Sequence, residues 1–370
     1  MAEPSSPVAL IYKELFDRYE ELKNLGRWLG GKPRVVVAGQ ADGAPAQLFH
    51  ALLGEPAADV TQTDAEHGTW QAVAGYKLDD VPGLGAVGSS GEAEQALSYL
   101  READVVILAM AVDRRPTALE QGLWDHLKRL KRCRLVVVAA PRPEGDDAPT
   151  TPELDKDAWA LWAREIQRVL SDNDAEVLPC RHLASDDLVA IARAVVKNEA
   201  LSGEAKAALP SLVKHGAARD ALVLDQIKKS AGTAAWLGLS PIPFSDVAAI
   251  TPLQVILVCR VAAAYDKIIT PTQAKGFIAA AIPVAAAGFG FRVLFRKVAG
   301  GLAEGLLPLR LGVGAGMAWL GTQAIGRAAQ HYFREQSHIT PAEAGQRAQE
   351  ELASELAPSS PFRSADDKVD

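Results

Sequence analysis

Two runs of consecutive aliphatic residues constrain this chain most: Val105-Val106-Ile107-Leu108 and Leu135-Val136-Val137-Val138. A strand with one wet face alternates apolar and polar residues. A strand that is apolar at every position must be covered on both faces, as parallel strands are between helical layers. Further strand patterns fall at 34–38, 71–78 and 176–179, with the two runs inside strands at 104–111 and 134–139. Helical patterns interleave with them at 47–53, 92–101, 118–131, 155–170 and 186–197. This alternation predicts an α/β domain over 31–200, built on a doubly wound, mainly parallel sheet. Beyond it the strand patterns stop. Residues 201–216 read as a linker with Ser202-Gly203 and Pro210, and 217–335 as an all-α domain broken at Gly and Pro clusters. Residues 1–30 predict an N-terminal amphipathic helix, with Val8, Ile11, Tyr12, Leu15, Tyr19, Leu22, Leu25 and Leu29 on its apolar stripe. Residues 336–370 predict a polar helix at 342–356 followed by a flexible acidic tail.

The first strand pattern ends in Gly39, and a helical pattern follows within a few residues. That is the strand–loop–helix setting of a phosphate-binding loop, whose pattern is Gly, four residues, then Gly-Lys-Ser/Thr. Counted from Gly39, the last three places hold Ala44, Pro45 and Ala46. The lysine that reaches the β- and γ-phosphates is missing, as is the hydroxyl that holds Mg²⁺. Proline at 45 also lacks a backbone N–H, one of the donors that cradle phosphate.

Asp80-Val81-Pro82-Gly83 after a strand pattern, and then the apolar strand from Asp104, resemble the Asp-x-Pro-Gly motif and fourth strand of Era-like GTPases. The resemblance implies a GTPase-like sheet topology, with Asp80 approaching Mg²⁺ through water and Gly83 sensing the γ-phosphate. The family's guanine-reading Asn-Lys-x-Asp has no counterpart in Ala140-Pro141-Arg142-Pro143-Glu144-Gly145-Asp146, and the base-supporting loop reads Pro179-Cys180-Arg181-His182. Phosphoryl transfer rests on positioning and electrostatic stabilisation, which these losses remove. No catalytic residue is therefore assigned and no cofactor is expected. If nucleotide binds, with GTP and Mg the candidates, its contacts are Gly39, Gly43, Asp80 and Gly83. No metal site of the protein's own is expected: Cys133, Cys180 and Cys259 lie far apart, with no Cys-x-x-Cys pair.

Ala235-Trp236-Leu237-Gly238-Leu239-Ser240-Pro241-Ile242-Pro243-Phe244-Ser245-Asp246, then Leu253-Gln254, Ala263-Ala264-Tyr265 and a closing His331-Tyr332-Phe333, resemble the YcjF-like helical domain found in bacteria. This resemblance implies bacterial origin and membrane association. Charge agrees: residues 217–340 hold twelve Lys/Arg against six acids, although the whole chain is formally −7. Three sixteen-residue uncharged runs, at 230–245, 276–291 and 311–326, are bounded by charged residues. As helices they reach about 24 Å, short of a ~30 Å hydrocarbon core unless basic ends snorkel. Gly301-x-x-x-Gly305 and Gly312-x-x-x-Gly316 allow close helix packing. Ser245-Asp246 reads as a helix start, and Thr251-Pro252 as a start or kink.

The expectation is a non-catalytic, GTPase-like interaction or scaffold protein. It is cytoplasmic, peripheral to or partly inserted in the inner membrane, with a protein partner or self-association and no nucleic acid. Two alternatives stay open: a divergent GTP-binding regulatory switch, and a soluble structural or self-assembly protein.

Overall fold

In the computed structural model the described residues are 34–39, 44–54, 69–71, 77–80, 100, 102–111, 115–129, 133–139, 156–172, 175–180, 183–197, 209–238, 245–287, 309–335 and 338–356. The expected N-terminal helix, most of the helix at 92–101, the loop at 140–146 and the acidic end of the tail lie outside them. The described residues divide into two compact units. One runs to Val223 and includes Ala263–Ile268; the other holds Leu224–Ala262 and everything from Ile269 on.

The first unit is built on strands β1 (Arg34–Ala38), β2 (Thr69–Gln71), β3 (Lys77–Asp80), β4 (Val105–Ala111), β5 (Cys133–Ala139) and β6 (Val177–Cys180). They form one sheet in the order β2-β3-β1-β4-β5-β6. Every neighbouring pair is parallel except β2 with β3. The single strand expected at 71–78 is thus two antiparallel strands, Thr69 pairing with Asp79 and Gln71 with Lys77. Its helices are α1 (Ala44–Leu53), α2 (Ala118–Arg129), α3 (Lys156–Val169) and α4 (Ser185–Lys197).

The apolar run of β4 is explained by helices on both faces. Val35, Val37, Val105, Ile107 and Ala109 pack with Leu48, Phe49 and Leu52 of α1 and Leu188, Ile191 and Val195 of α4. Their neighbours point the other way: Val36, Ala38 and Val106 meet Leu123 and Leu127 of α2, while Leu108 and Met110 meet Trp124, Ile166 and Leu170. Period-two alternation places adjacent residues on opposite faces, so both sets must be apolar.

The segment expected as a linker is in part core. A 3₁₀ turn at Leu209–Leu212 leads into α5 (Gly216–Leu237), and Leu212, Val213, Ala218 and Leu222 are buried with the α1 and α4 side chains. Lys214 N donates to Leu52 O at 2.7 Å, beside Gly54, which ends α1 with φ 75°. A left-handed residue after a helix is a glycine's place. Arg219 donates to the Val213 and Lys214 carbonyls at 3.2 and 2.8 Å and lies over the Tyr265 ring.

The second unit contains the rest of α5, α6 (Ser245–Ala264) as far as Ala262, α7 (Pro271–Ala287), α8 (Leu309–Arg334) and α9 (Pro341–Leu356). Helix α6 begins at the expected Ser245, and Pro252 lies inside it. Ala234, Leu237, Leu253 and Ala318 form one apolar layer. Farther along α8, a Cβ on Gly326 would come within 2.8 Å of Ile227 and 3.1 Å of Leu257. These contacts run α8 antiparallel to α5 and parallel to α6. Between the layers lie buried Ser230 and Thr322, with Gln254 Nε2 3.4 Å from Thr322 Oγ1.

Helix α9 follows a capping box in which Thr340 N donates to Glu343 at 2.7 Å and Glu343 N to Thr340 Oγ1 at 3.2 Å. It buries Ala344, Gly345, Ala348 and Leu352. A Cβ on Gly345 would meet the Ala281 carbonyl of α7 at 2.7 Å. Gly326 and Gly345 are thus close-packed glycines of this unit. Of the two expected motifs, Gly301-x-x-x-Gly305 lies outside the described residues and Gly312-x-x-x-Gly316 lies in α8.

No helix among the described residues is long and apolar enough to cross a membrane. The run at 230–245 is not one helix, since α5 ends at Leu237 and α6 starts at Ser245. Arg327, the basic residue that bounds the third run, is buried in the bundle and paired to Glu351 at 2.7 Å and Glu355 at 2.6 Å.

Candidate functional site

The strand order reverses beside β1: the chain passes from β1 outward to β3, then crosses back to β4. In open parallel sheets such a reversal leaves a crevice beyond the carboxyl ends of the strands, where ligands bind. Register puts Asp80 opposite Val37, and Val37 also opposite Ile107. Asp80 closes β3 next to the end of β1, with Gly39 two residues past Val37. The two sequence-expected residues that the structure describes thus reach the same edge. Gly43 and Gly83 lie outside the described residues.

Gly39 is buried, and the reason it is glycine lies beneath it. A Cβ there would stand 2.2 Å from the Ala109 carbonyl oxygen of β4 and 2.8 Å from Pro45 Cγ. No side chain fits between those atoms. Helix α1 opens at Ala44, and buried Pro45 occupies its first turn, where the fixed φ suits a helix start. The pyrrolidine ring therefore packs on Gly39 at the position where the loop pattern requires lysine. A helix N-terminus offers free N–H groups to an anion, but Pro45 has none, and the first turn of α1 carries no charged side chain.

These residues do not fit a magnesium triphosphate. Position 45 supplies an apolar ring in place of a cation, and Ala46 supplies a methyl in place of a metal-binding hydroxyl. No group of three or more His, Cys, Asp or Glu side chains among the described residues could hold a metal ion.

The other polar groups near this sheet have structural partners. Asp104 accepts from Arg34 N at 2.8 Å and tethers the start of β1. Buried Glu120 is the reciprocal partner of Thr117 in a capping box, accepting Thr117 N at 2.8 Å. Asp172 accepts from Trp124 Nε1 at 3.0 Å. Burial raises the Cys180 thiol well above its usual range and the Cys259 thiol to about 12, so neither is poised as a nucleophile.

Sequence reasoning missed the main ionic feature of the second unit. Glu351 accepts from Arg327 and, at 3.0 Å, pairs with His331 Nε2; Glu335 pairs with Arg347. Residues 327 and 331 on α8 and 335 just past its end face 355, 351 and 347 on α9, each set at four-residue spacing. The i, i+4 glutamates of α9 are visible in the sequence; their partners on α8 are not.

No family model and no curated protein matches the chain. Solved structures to which it is similar include Era in complex with MgGDPNP and a 16S ribosomal RNA segment, at TM-score 0.34 and 16% identity over 58% of this chain and 69% of that one. Toc33 from Arabidopsis thaliana, with Mg²⁺ and GMPPNP, has TM-score 0.29 and 16% identity over 58% and 93%. The cytosolic domain of the T. maritima FeoB iron transporter, in its GMPPNP form, has TM-score 0.31 and 12% identity over 88% and 99%. Likeness at this level carries no functional information; strand order, register and the packing of Gly39 do.

Proposed function

We propose that the α/β unit is a GTPase-like module that has given up nucleotide chemistry and serves as an interaction scaffold. The observation that carries this is the ring of Pro45 against Gly39. A loop that bound triphosphate would hold a lysine there, reaching inward over the phosphates. This one seals the place with apolar contact. The order β2-β3-β1-β4-β5-β6, with only β2 antiparallel, supports the GTPase-like reading of the sheet. On the same reading the helical unit is YcjF-like, and the protein works at the cytoplasmic face of a bacterial inner membrane, held peripherally and engaging a protein partner or a second copy of itself. The basic surplus in 217–340 supports the membrane part.

Titration calorimetry of the full chain with GTP and GDP in Mg²⁺ tests the first part. No heat of binding at hundred-micromolar nucleotide is expected, and no thermal shift. Micromolar binding of either nucleotide would overturn the scaffold reading in favour of a regulatory switch.

A further inference from the structure

We propose that the exposed face of α5 bearing Lys228, Lys229, Gly232 and Trp236 is the surface that docks this protein on an anionic lipid bilayer. The inference rests on the peripheral membrane reading above and assigns it to named residues. Between Leu224 and Gly238 these are the four exposed positions, and every other residue is buried or half-buried. At 3.6 residues per turn they fall within an arc of about 100°. They are therefore one face and not scattered exposure.

The chemistry of that face is directional. Lys228 and Lys229 carry no ion pair among the described residues. Arg327, His331 and Arg347 of α8 and α9, in contrast, are paired with Glu335, Glu351 and Glu355. No acidic residue follows Asp225 until Asp246. Trp236 is 38% exposed at the far end of the helix, about 12 Å along the axis from Lys228. An indole with one apolar body and one N–H suits the boundary between headgroups and acyl chains, and lysines about two turns back suit the phosphate level. Gly232, between them, has nothing within 4 Å of where a Cβ would stand, so a flat surface can approach the backbone there. An acidic protein would satisfy the two lysines equally well. It would leave unexplained the exposed indole on an uncharged helix end, and this favours lipid.

The test is flotation of the full chain with vesicles of phosphatidylglycerol and phosphatidylethanolamine, against neutral phosphatidylcholine vesicles. Wild type is expected to float with the anionic vesicles only. Lys228→Glu with Lys229→Glu should weaken binding at least tenfold, and Trp236→Ala several-fold. Gly232→Glu is the second line of evidence: it places an acid in open space on the same face, improves helix propensity, and should weaken binding while leaving the circular dichroism unchanged. Wild-type flotation that all three variants retain would overturn this surface and leave the membrane reading standing. Wild type that floats with no vesicle would overturn both. Retention on polyglutamate without flotation, lost in the lysine variant, would overturn the lipid assignment in favour of an acidic protein.

Discussion

Gly39 shows how a single residue can keep its place in a motif for a reason other than the motif's chemistry. In a phosphate loop the first glycine lets the backbone approach its ligand. Here the Ala109 carbonyl and Pro45 ring already fill the space a side chain would need. Gly39→Ala is therefore expected to destabilise the α/β unit by about 1–3 kcal/mol, because the closest atom belongs to backbone and cannot rotate away. Urea unfolding followed by far-UV circular dichroism would measure it, and an unchanged midpoint would refute the packing account. The buried thiols give a second prediction at this scale. Cys180 and Cys259 have folded pKa values raised by desolvation, so the folded state holds their protons more tightly than the unfolded chain. Their contribution to stability is complete below the unfolded thiol value of about 8.5 and is lost as pH rises above it. The unfolding midpoint should fall between pH 9 and 10.5, less so in a variant with both changed to Ala. Peptide mapping should find neither thiol alkylated at pH 8 in the native protein.

At the scale of elements, the pairing of α8 and α9 was invisible in the sequence. The pattern at 342–356 reads as a polar helix, and so it is on its outer face. What the pattern cannot state is where Ala344, Gly345 and Ala348 go, because small residues give a weak amphipathic signal. The structure places Gly345 against the α7 backbone and lines up Glu351 and Glu355 with buried Arg327. Removing both carboxylates strands a buried guanidinium. Glu351→Gln with Glu355→Gln is expected to cost about 1–3 kcal/mol, less than a fully buried pair because both glutamates are partly wet. Adding Arg327→Met should recover most of the loss. A triple variant no more stable than the double would show that the guanidinium is not the source of the cost. The expectation of a single strand at 71–78 fared similarly. Residues 71–78 have the composition of one strand, yet Thr69–Gln71 and Lys77–Asp80 belong to two strands paired antiparallel, and composition does not record which strand lies opposite.

For the whole molecule, the limits drawn from sequence and those drawn from contacts differ in a way that can be tested. Composition placed a linker at 201–216, since Ser, Gly, Pro and Ala dilute the hydrophobic pattern there. Contacts place Leu212, Val213, Ala218 and Leu222 in the α/β core, all 4% exposed or less. A fragment covering 31–200 lacks those four side chains and should show no cooperative unfolding transition where the full chain is expected to show one. A sharp transition for that fragment, near the full-chain midpoint, would show that the core closes without them.

Local residue patterns were enough for the class of the first unit, the approximate place of its described helices and most strands, and the loss of lysine and hydroxyl from the loop after β1. Those properties are local: unbroken aliphatic runs demand two covered faces, and a missing side chain is missing in any fold. Contacts across the fold decided that Pro45 packs on Gly39, that Leu212 and Val213 of the supposed junction are core, that the first uncharged run is divided between two helices, and that Arg327 is buried. Each of these depends on which distant residue lies opposite. That is settled by packing between segments far apart in the chain, which no periodicity records.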